Sequence, residues 1–162
     1  MNVMMLAASL ILASVTIVSP LAGALEVPGD VQLSRDSYLA VRGIYYPGFT
    51  IAGVAEPLAV VVICALLASL SPATPAFWLV ALAFAAEALA HLLYWLLIVP
   101  MNRVWLAAES VPTASAPQAT TGGETADRTA LQDRWERCHV CRAVASTAAF
   151  VLLVAATLAE VG

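Results

Sequence analysis

The feature that most constrains this chain is the run from Ala76 to Val99, which is apolar and contains no Lys or Arg. A bilayer is crossed by about 20 consecutive apolar residues, so this run is long enough to span one. Glu87 and His91 lie near its middle, four residues apart, and therefore share one face of a helix. Ionisable groups at the centre of a membrane helix cost roughly 2.5–3.5 kcal/mol each, so they need partners in a bundle interior. These two side chains are our first candidates for a functional site.

The composition of the whole chain also indicates that lipid, and not water, surrounds most of it. Of its 162 residues, 62% are hydrophobic and 11% are charged, which is more apolar surface than a soluble domain of this length could cover. We therefore expect an integral membrane protein whose main partner is the lipid bilayer. The net charge is −4 and there is no Lys, so no basic face exists that would neutralise the phosphates of a nucleic acid.

Hydropathy predicts four membrane helices in one domain, over residues 3–25, 43–70, 76–106 and 130–159. They are separated by a polar connector with a turn signal at Pro28-Gly29-Asp30, a tight link at Ser71–Pro75, and a flexible loop at residues 109–127. The expected fold class is therefore all-α, an integral membrane four-helix bundle.

The first apolar run permits two interpretations. It is either a retained membrane helix or a cleaved signal peptide, with Ala22-Gly23-Ala24 as the small-residue cleavage site. No Lys or Arg precedes it to form the positive region of a signal peptide, and the run is long for the apolar part of one. We therefore favour the retained helix.

Glu56 falls near the middle of the second predicted helix, at a depth similar to that of Glu87 and His91. Carboxylates and imidazole together suit Fe, Mn, Zn or Cu, so these three side chains could hold a metal ion. They could equally bind a substrate or handle protons, or they could form hydrogen bonds that hold the helices together. The sequence leaves these interpretations open.

The fourth predicted helix begins with polar residues. Its uncharged part, Ala143–Leu158, is short for a full crossing, so we expect Arg142 to snorkel to the interface or to line a wet cavity. Cys138 and Cys141 form a CxxC, a spacing that suits disulfide exchange. Such catalysis needs a second cysteine pair, and the only other cysteine is Cys64. Two small apolar thiols in a helix are therefore the favoured interpretation.

The Tyr and Trp residues lie mostly toward helix ends, as expected for the aromatic belts at the two membrane interfaces. Tyr45 and Tyr94 could also face a cavity and contact a planar substrate.

Two motifs resemble a known family. Pro100-x-Asn102 closes the third predicted helix, and Trp135-x-x-x-His139-x-x-Arg142 opens the fourth after a variable loop. Together with the four-helix hydropathy pattern, they resemble the anthrone oxygenase-like family of small membrane proteins. The resemblance implies an oxidoreductase that acts with O₂ on a hydrophobic aromatic small molecule, as some members oxidise anthrones to anthraquinones.

Carried over by position, the resemblance implies that the site residues are Asn102, Trp135, His139 and Arg142. Anthrone oxidation begins with the loss of an acidic proton, and a neutral His139 in a dry pocket could accept it. Arg142 or Asn102 could then hold the resulting oxyanion. A cofactor-free oxygenase of this kind requires no metal, and the sequence leaves the cofactor unknown.

Two other functions stay open at this stage. A small proton- or cation-handling transporter, or an accessory subunit, would use the intramembrane Glu and His residues and would need to form a homo-oligomer. A metal- or haem-binding membrane protein would use Glu56, Glu87 and His91, which lie outside the family motif.

The Arg residues predict the orientation in the membrane. Arg supplies all seven cations of the chain, and in a four-helix topology they lie in or at the edge of segments 26–42 and 101–137. Because positive residues stay on the cytoplasmic side, these two loops should be cytoplasmic in the inner membrane, with both termini outside. A C-terminal reporter that works only in the cytoplasm should therefore stay silent. A signal as strong as that of a cytoplasmic control fusion would contradict this orientation.

Overall fold

The computed structural model describes residues 2–30, 35–102 and 122–161, and within them it contains helices and no β-strand. The helices are α1 (Val3–Asp30), α2 (Arg35–Ala68), α3 (Pro75–Leu93) and α4 (Gly122–Val161). Helix α3 continues through a π-helical turn, Tyr94–Ile98, and regains α-helical geometry up to residue 102. The prediction of an all-α fold is confirmed.

The four helices pack as a ring. Helices α1 and α3 each pack against both α2 and α4. Asn102 at the end of α3 contacts Trp135 in the first half of α4, and Ala90 contacts Arg142 further along α4, so these two helices run antiparallel. The predicted four-helix bundle is therefore the observed arrangement of the described residues.

The outer surface of this bundle is apolar. Three segments are long and apolar enough to cross a membrane, namely Val3–Gly29, Pro75–Asn102 and Asp133–Glu160, and α2 contains the shorter apolar stretch Gly53–Ala68. Large apolar side chains cover the outward faces, which in water would form an exposed patch far beyond that of a soluble monomer. The chain is an integral membrane protein.

Several helix ends differ from the predicted ones. Helix α1 continues through Pro28 to Asp30, so the turn predicted there is wrong. A proline in a helix removes one backbone hydrogen bond, and membrane helices such as α1, which contains two prolines, tolerate this because neighbouring groups can satisfy the freed carbonyl. Helix α2 begins at Arg35, and α4 begins at Gly122, inside the predicted flexible loop. The remainder of that loop lies outside the described residues.

The α2–α3 link is as tight as predicted because Thr74 caps α3. Its Oγ1 accepts a hydrogen bond from the backbone N–H of Phe77 at 3.3 Å, and Pro75 occupies the first turn, where no N–H donor is needed. This link fixes α2 and α3 as antiparallel neighbours.

An apolar core fills the end of the bundle that contains this link. It consists of Leu6, Ala13, Ile63, Leu66, Val80, Ala83, Leu153 and Ala156. Lipid tails are as apolar as these side chains, so helices in a membrane associate through close van der Waals packing, which the small alanines permit. Most of the buried ionisable side chains lie in the other half of the bundle.

Candidate functional site

Arg142 of α4 lies at the centre of the polar half. Its side chain is 2% exposed, and its Nη2 forms an ion pair with Oε1 of Glu56, which is equally buried. Its Nε donates to the carbonyl oxygen of Ala90 at 3.3 Å, and its Cζ lies 4.9 Å from the ring centroid of Tyr94. The first alternative for Arg142, snorkelling to the interface, is therefore wrong, because its charge is neutralised inside the bundle. The second alternative, that it lines a wet cavity, stays a prediction.

Glu56 connects Arg142 to His91. Oε2 of Glu56 lies 3.4 Å from Nδ1 of His91, and Nε1 of Trp95 donates to Nε2 of His91 at 3.1 Å. Because an indole N–H only donates, Nε2 is the acceptor, and the proton of a neutral imidazole is on Nδ1, facing Glu56. A chain of hydrogen bonds thus runs from the buried guanidinium to Trp95, which is 55% exposed on the outer face of α3.

A π-helical turn, Tyr94–Ile98, lies beside these contacts. The N–H of Tyr94 is shared between the carbonyl oxygens of Ala90 and His91, and the N–H of Val99 reaches back to the carbonyl oxygen of Tyr94. The oxygen of Ala90 also accepts a hydrogen bond from Nε of Arg142. Single π-turns inside α-helices occur frequently at functional sites.

His139 lies one helical turn before Arg142 on α4, between Trp135 and α1. It is 4% exposed, and its ring centroid lies 3.9 Å from that of Trp135. A Cβ atom on Gly23 would lie 2.8 Å from Nδ1 of His139, so α1 approaches this closely only because Gly23 has no side chain. Nε1 of Trp135 donates to Oδ1 of Asn102 at 3.0 Å. The structure thus places Asn102, Trp135 and His139 in one contiguous layer.

Glu87 lies deeper than the Arg142 layer. It is 1% exposed, and neither of its carboxyl oxygens makes a hydrogen bond within the described residues. The hydroxyl of Thr16 lies beside it but donates to a carbonyl oxygen of its own helix. Ser146 lies one helical turn beyond Arg142 on α4, and its buried hydroxyl also makes no hydrogen bond in the described part of the chain.

The predicted metal ligands come together only in part. Glu56 contacts His91, but Glu87 lies in the layer below and faces Thr16. In segments 2–30, 35–102 and 122–161, no group of three or more His, Cys, Asp or Glu side chains is arranged to hold a metal ion. The cation beside Glu56 is the guanidinium of Arg142.

The other predicted residues have separate environments. The side chain of Tyr45 lies outside the described residues, whereas Tyr94 stacks against the guanidinium. Cys138 is buried in a small apolar cluster with Trp135, and Cys64 and Cys141 are exposed and form no disulfide. The favoured interpretation of the CxxC, two apolar thiols in a helix, is compatible with these positions.

A family model described as anthrone oxygenase matches residues 44–152. The chain belongs to the anthrone oxygenase family. The match covers most of α2, all of α3 and most of α4, so it includes the ion pair and the His139 layer of this anthrone oxygenase family protein. Helix α1, which supplies Gly23, precedes the matched residues. Comparisons with curated proteins and with solved structures gave no match.

We predict that Gly23→Ala displaces His139 or pushes α1 away from it. The added Cβ would lie 2.8 Å from Nδ1 and 3.0 Å from Cγ of the ring, and overpacking of this kind costs roughly 1–3 kcal/mol. Gly29→Ala in the same helix is the matched control, because nothing lies within 4 Å of its added Cβ. In thermal unfolding of detergent-solubilised protein, Gly23→Ala should melt below the wild type and Gly29→Ala should not. Equal melting temperatures for the two variants would contradict the packing described above.

Proposed function

We propose that this protein is an integral membrane oxygenase. It removes a proton from a hydrophobic, anthrone-type aromatic molecule, and O₂ then oxidises the resulting anion. Membership of the anthrone oxygenase family supports the reaction class. The observation that carries the assignment is the buried layer in which His139 packs on Trp135, one helical turn from the guanidinium of Arg142.

The proposed reaction converts one CH₂ group between aromatic rings into a carbonyl and uses one O₂ to form one water. A base removes a proton from the CH₂ carbon, and the remaining electron pair delocalises onto the ring carbonyl as an oxyanion. The anion gives an electron to O₂, and the two radicals combine to form a carbon–oxygen bond. The resulting peroxide anion regains a proton and loses water, which leaves the new carbonyl. The protein's part is to accept, hold and return a proton and to stabilise the oxyanion.

We assign the proton-accepting role to His139. A neutral imidazole is the side chain best suited to accept a proton near neutral pH. Its contact with Trp135 and its burial keep water away, which strengthens electrostatic interactions with an anion. Trp135 also fixes Asn102 through its indole N–H, so that the amide can serve as a donor.

We assign stabilisation of the oxyanion to Arg142, with Asn102 as a second donor. The guanidinium uses Nε for Ala90 and Nη2 for Glu56, and no acceptor among the described residues takes a hydrogen bond from Nη1. Preorganised donors of this kind act strongly in a site that excludes water. The substrate reaches them from the bilayer, in which an uncharged aromatic molecule dissolves. The polar half of the bundle lies toward the loops that we propose to be cytoplasmic.

The buried residues support the alternative function, a carrier of protons or cations, less well than they support an oxygenase. Such a carrier needs polar groups that lead toward both sides of the membrane. Among the described residues, buried Glu, His and Arg side chains extend from the His139 layer only as far as Glu87. Beyond it the interior is filled by side chains such as Ile63, Val80 and Leu153. The hydroxyl of Ser9, which is buried there, is bonded to a carbonyl oxygen of its own helix.

The proposal is tested by oxygen uptake. Detergent-purified wild type should consume O₂ with an anthrone, above the spontaneous oxidation measured without protein, in equal amounts to the anthraquinone formed. His139→Ala should lower this rate by about 10²-fold or more, the usual contribution of a general base. Val140→Ala, which truncates the half-exposed neighbour of His139, is the control and should keep the wild-type rate.

Two results would contradict the proposal. Wild-type protein that consumes no O₂ with any of a set of anthrones would reject the substrate class. Folded His139→Ala protein with normal turnover would reject the assignment of the base.

A further inference from the structure

The outer face of α3 carries a second imidazole in a different setting. The side chain of His91 is 23% exposed, whereas His139 is 4% exposed. Its neighbours Leu92, Trp95 and Leu96 are all more than half exposed and belong to the apolar surface that faces lipid. His91 is therefore an imidazole that a molecule dissolved in the bilayer can approach from the side.

The other edge of this imidazole is held from inside the bundle. Nδ1 of His91 faces Oε2 of Glu56 at 3.4 Å, and the other carboxyl oxygen of Glu56 is paired with Arg142. A carboxylate behind one ring nitrogen fixes the tautomer and directs the lone pair of the other nitrogen away from it, as in the base and orienting group of a catalytic triad. The lone pair on Nε2 is therefore directed toward the outer face.

In the structure, Trp95 donates a hydrogen bond to this lone pair. Its Nε1 donates to Nε2 at 3.1 Å, and its ring meets both His91 and Tyr94 edge to face, with centroids 6.2 Å and 5.7 Å away. An N–H group in hydrocarbon has no water to bond, so the indole keeps this contact until another donor replaces it. A phenolic O–H is such a donor, and its ring can pack against the same aromatic side chains.

We propose that His91, oriented by Glu56, is a docking site on the bilayer side for the hydroxyl group of a planar phenolic molecule. In this structure the indole N–H of Trp95 makes the hydrogen bond to Nε2 that the phenolic O–H would make. The inference rests on the proposed function and deepens it, because it gives the substrate an entry side and a recognised group. If the phenol transfers its proton to Nε2, phenolate and imidazolium form a neutral pair. No net charge is then created in the membrane, because Glu56 and Arg142 already neutralise each other.

Binding of two probes that differ only in the donor tests this site. 2-Naphthol carries a hydroxyl, and 2-methoxynaphthalene has a similar ring system without the O–H. Calorimetric titration of the detergent-solubilised wild type, corrected for partition into empty micelles, should show about twofold to threefold tighter binding of 2-naphthol, because its O–H is a stronger donor than the indole N–H that it replaces on Nε2. In His91→Leu this preference should disappear.

A second pair of variants keeps the test independent of any folding defect in His91→Leu. Trp95→Phe keeps an aromatic ring and removes the competing N–H, so it should tighten 2-naphthol by roughly a further threefold to tenfold, the effect of one neutral hydrogen bond, and leave 2-methoxynaphthalene unchanged. Trp78→Phe is the matched control, because Trp78 is 62% exposed on the same helix and should affect neither probe. A preference that survives in His91→Leu, or 2-naphthol affinity that does not change in Trp95→Phe, would overturn the inference.

These measurements separate the two proposals. The naphthalene probes have no CH₂ group between rings and are read without O₂ uptake, so they report docking alone. Naphthol selectivity that depends on His91, in a protein that oxidises no anthrone, would support the docking site and contradict the proposed function. Anthrone oxidation by a protein that shows no such selectivity would support the proposed function and contradict the docking site.

Discussion

The bundle depends on the buried ion pair between Arg142 and Glu56. A single charged side chain at the centre of a membrane costs several kcal/mol, so neither ion is tolerated there without the other. The pair joins α4 to α2, and the remaining bonds of its two members reach α3, through the carbonyl oxygen of Ala90 and through Nδ1 of His91. Since these bonds form at only one rotation of each helix, the pair determines which side chains face the interior.

This arrangement divides the interior into two halves with different tasks. The half near the α2–α3 link is filled by leucine, isoleucine, valine and alanine side chains, and close packing of the helices holds it together. The other half contains the ion pair, the enclosed His139 and the outward-facing His91. The two imidazoles differ in exposure and in orienting partner, so the same residue type can serve deprotonation inside the bundle and recognition at its surface.

The sequence was sufficient for the fold class because four long apolar runs leave few alternatives to a helical membrane bundle. The family motif named Trp135 and His139, whose spacing of four residues is one helical turn, and their rings are in contact. The sequence could not predict that Arg142 meets Glu56, because they are 86 residues apart and hydropathy does not fix the rotation of a helix. Glu56 was instead grouped with the candidate metal ligands. Gly23 carried no signal, since only the position of His139 shows why a side chain is not tolerated there.

The most direct test is a double-mutant cycle on the ion pair, with the free energy of unfolding measured by SDS titration in mixed micelles. Glu56→Gln and Arg142→Gln should each destabilise the protein by about 3–5 kcal/mol, because each leaves a buried charge without its partner. The double variant should lose much less than the sum of the two. Asp133→Asn, which removes an exposed ion pair with Arg137 on α4, should have little effect. Single variants no less stable than Asp133→Asn, with additive losses in the double variant, would contradict the central role of the pair.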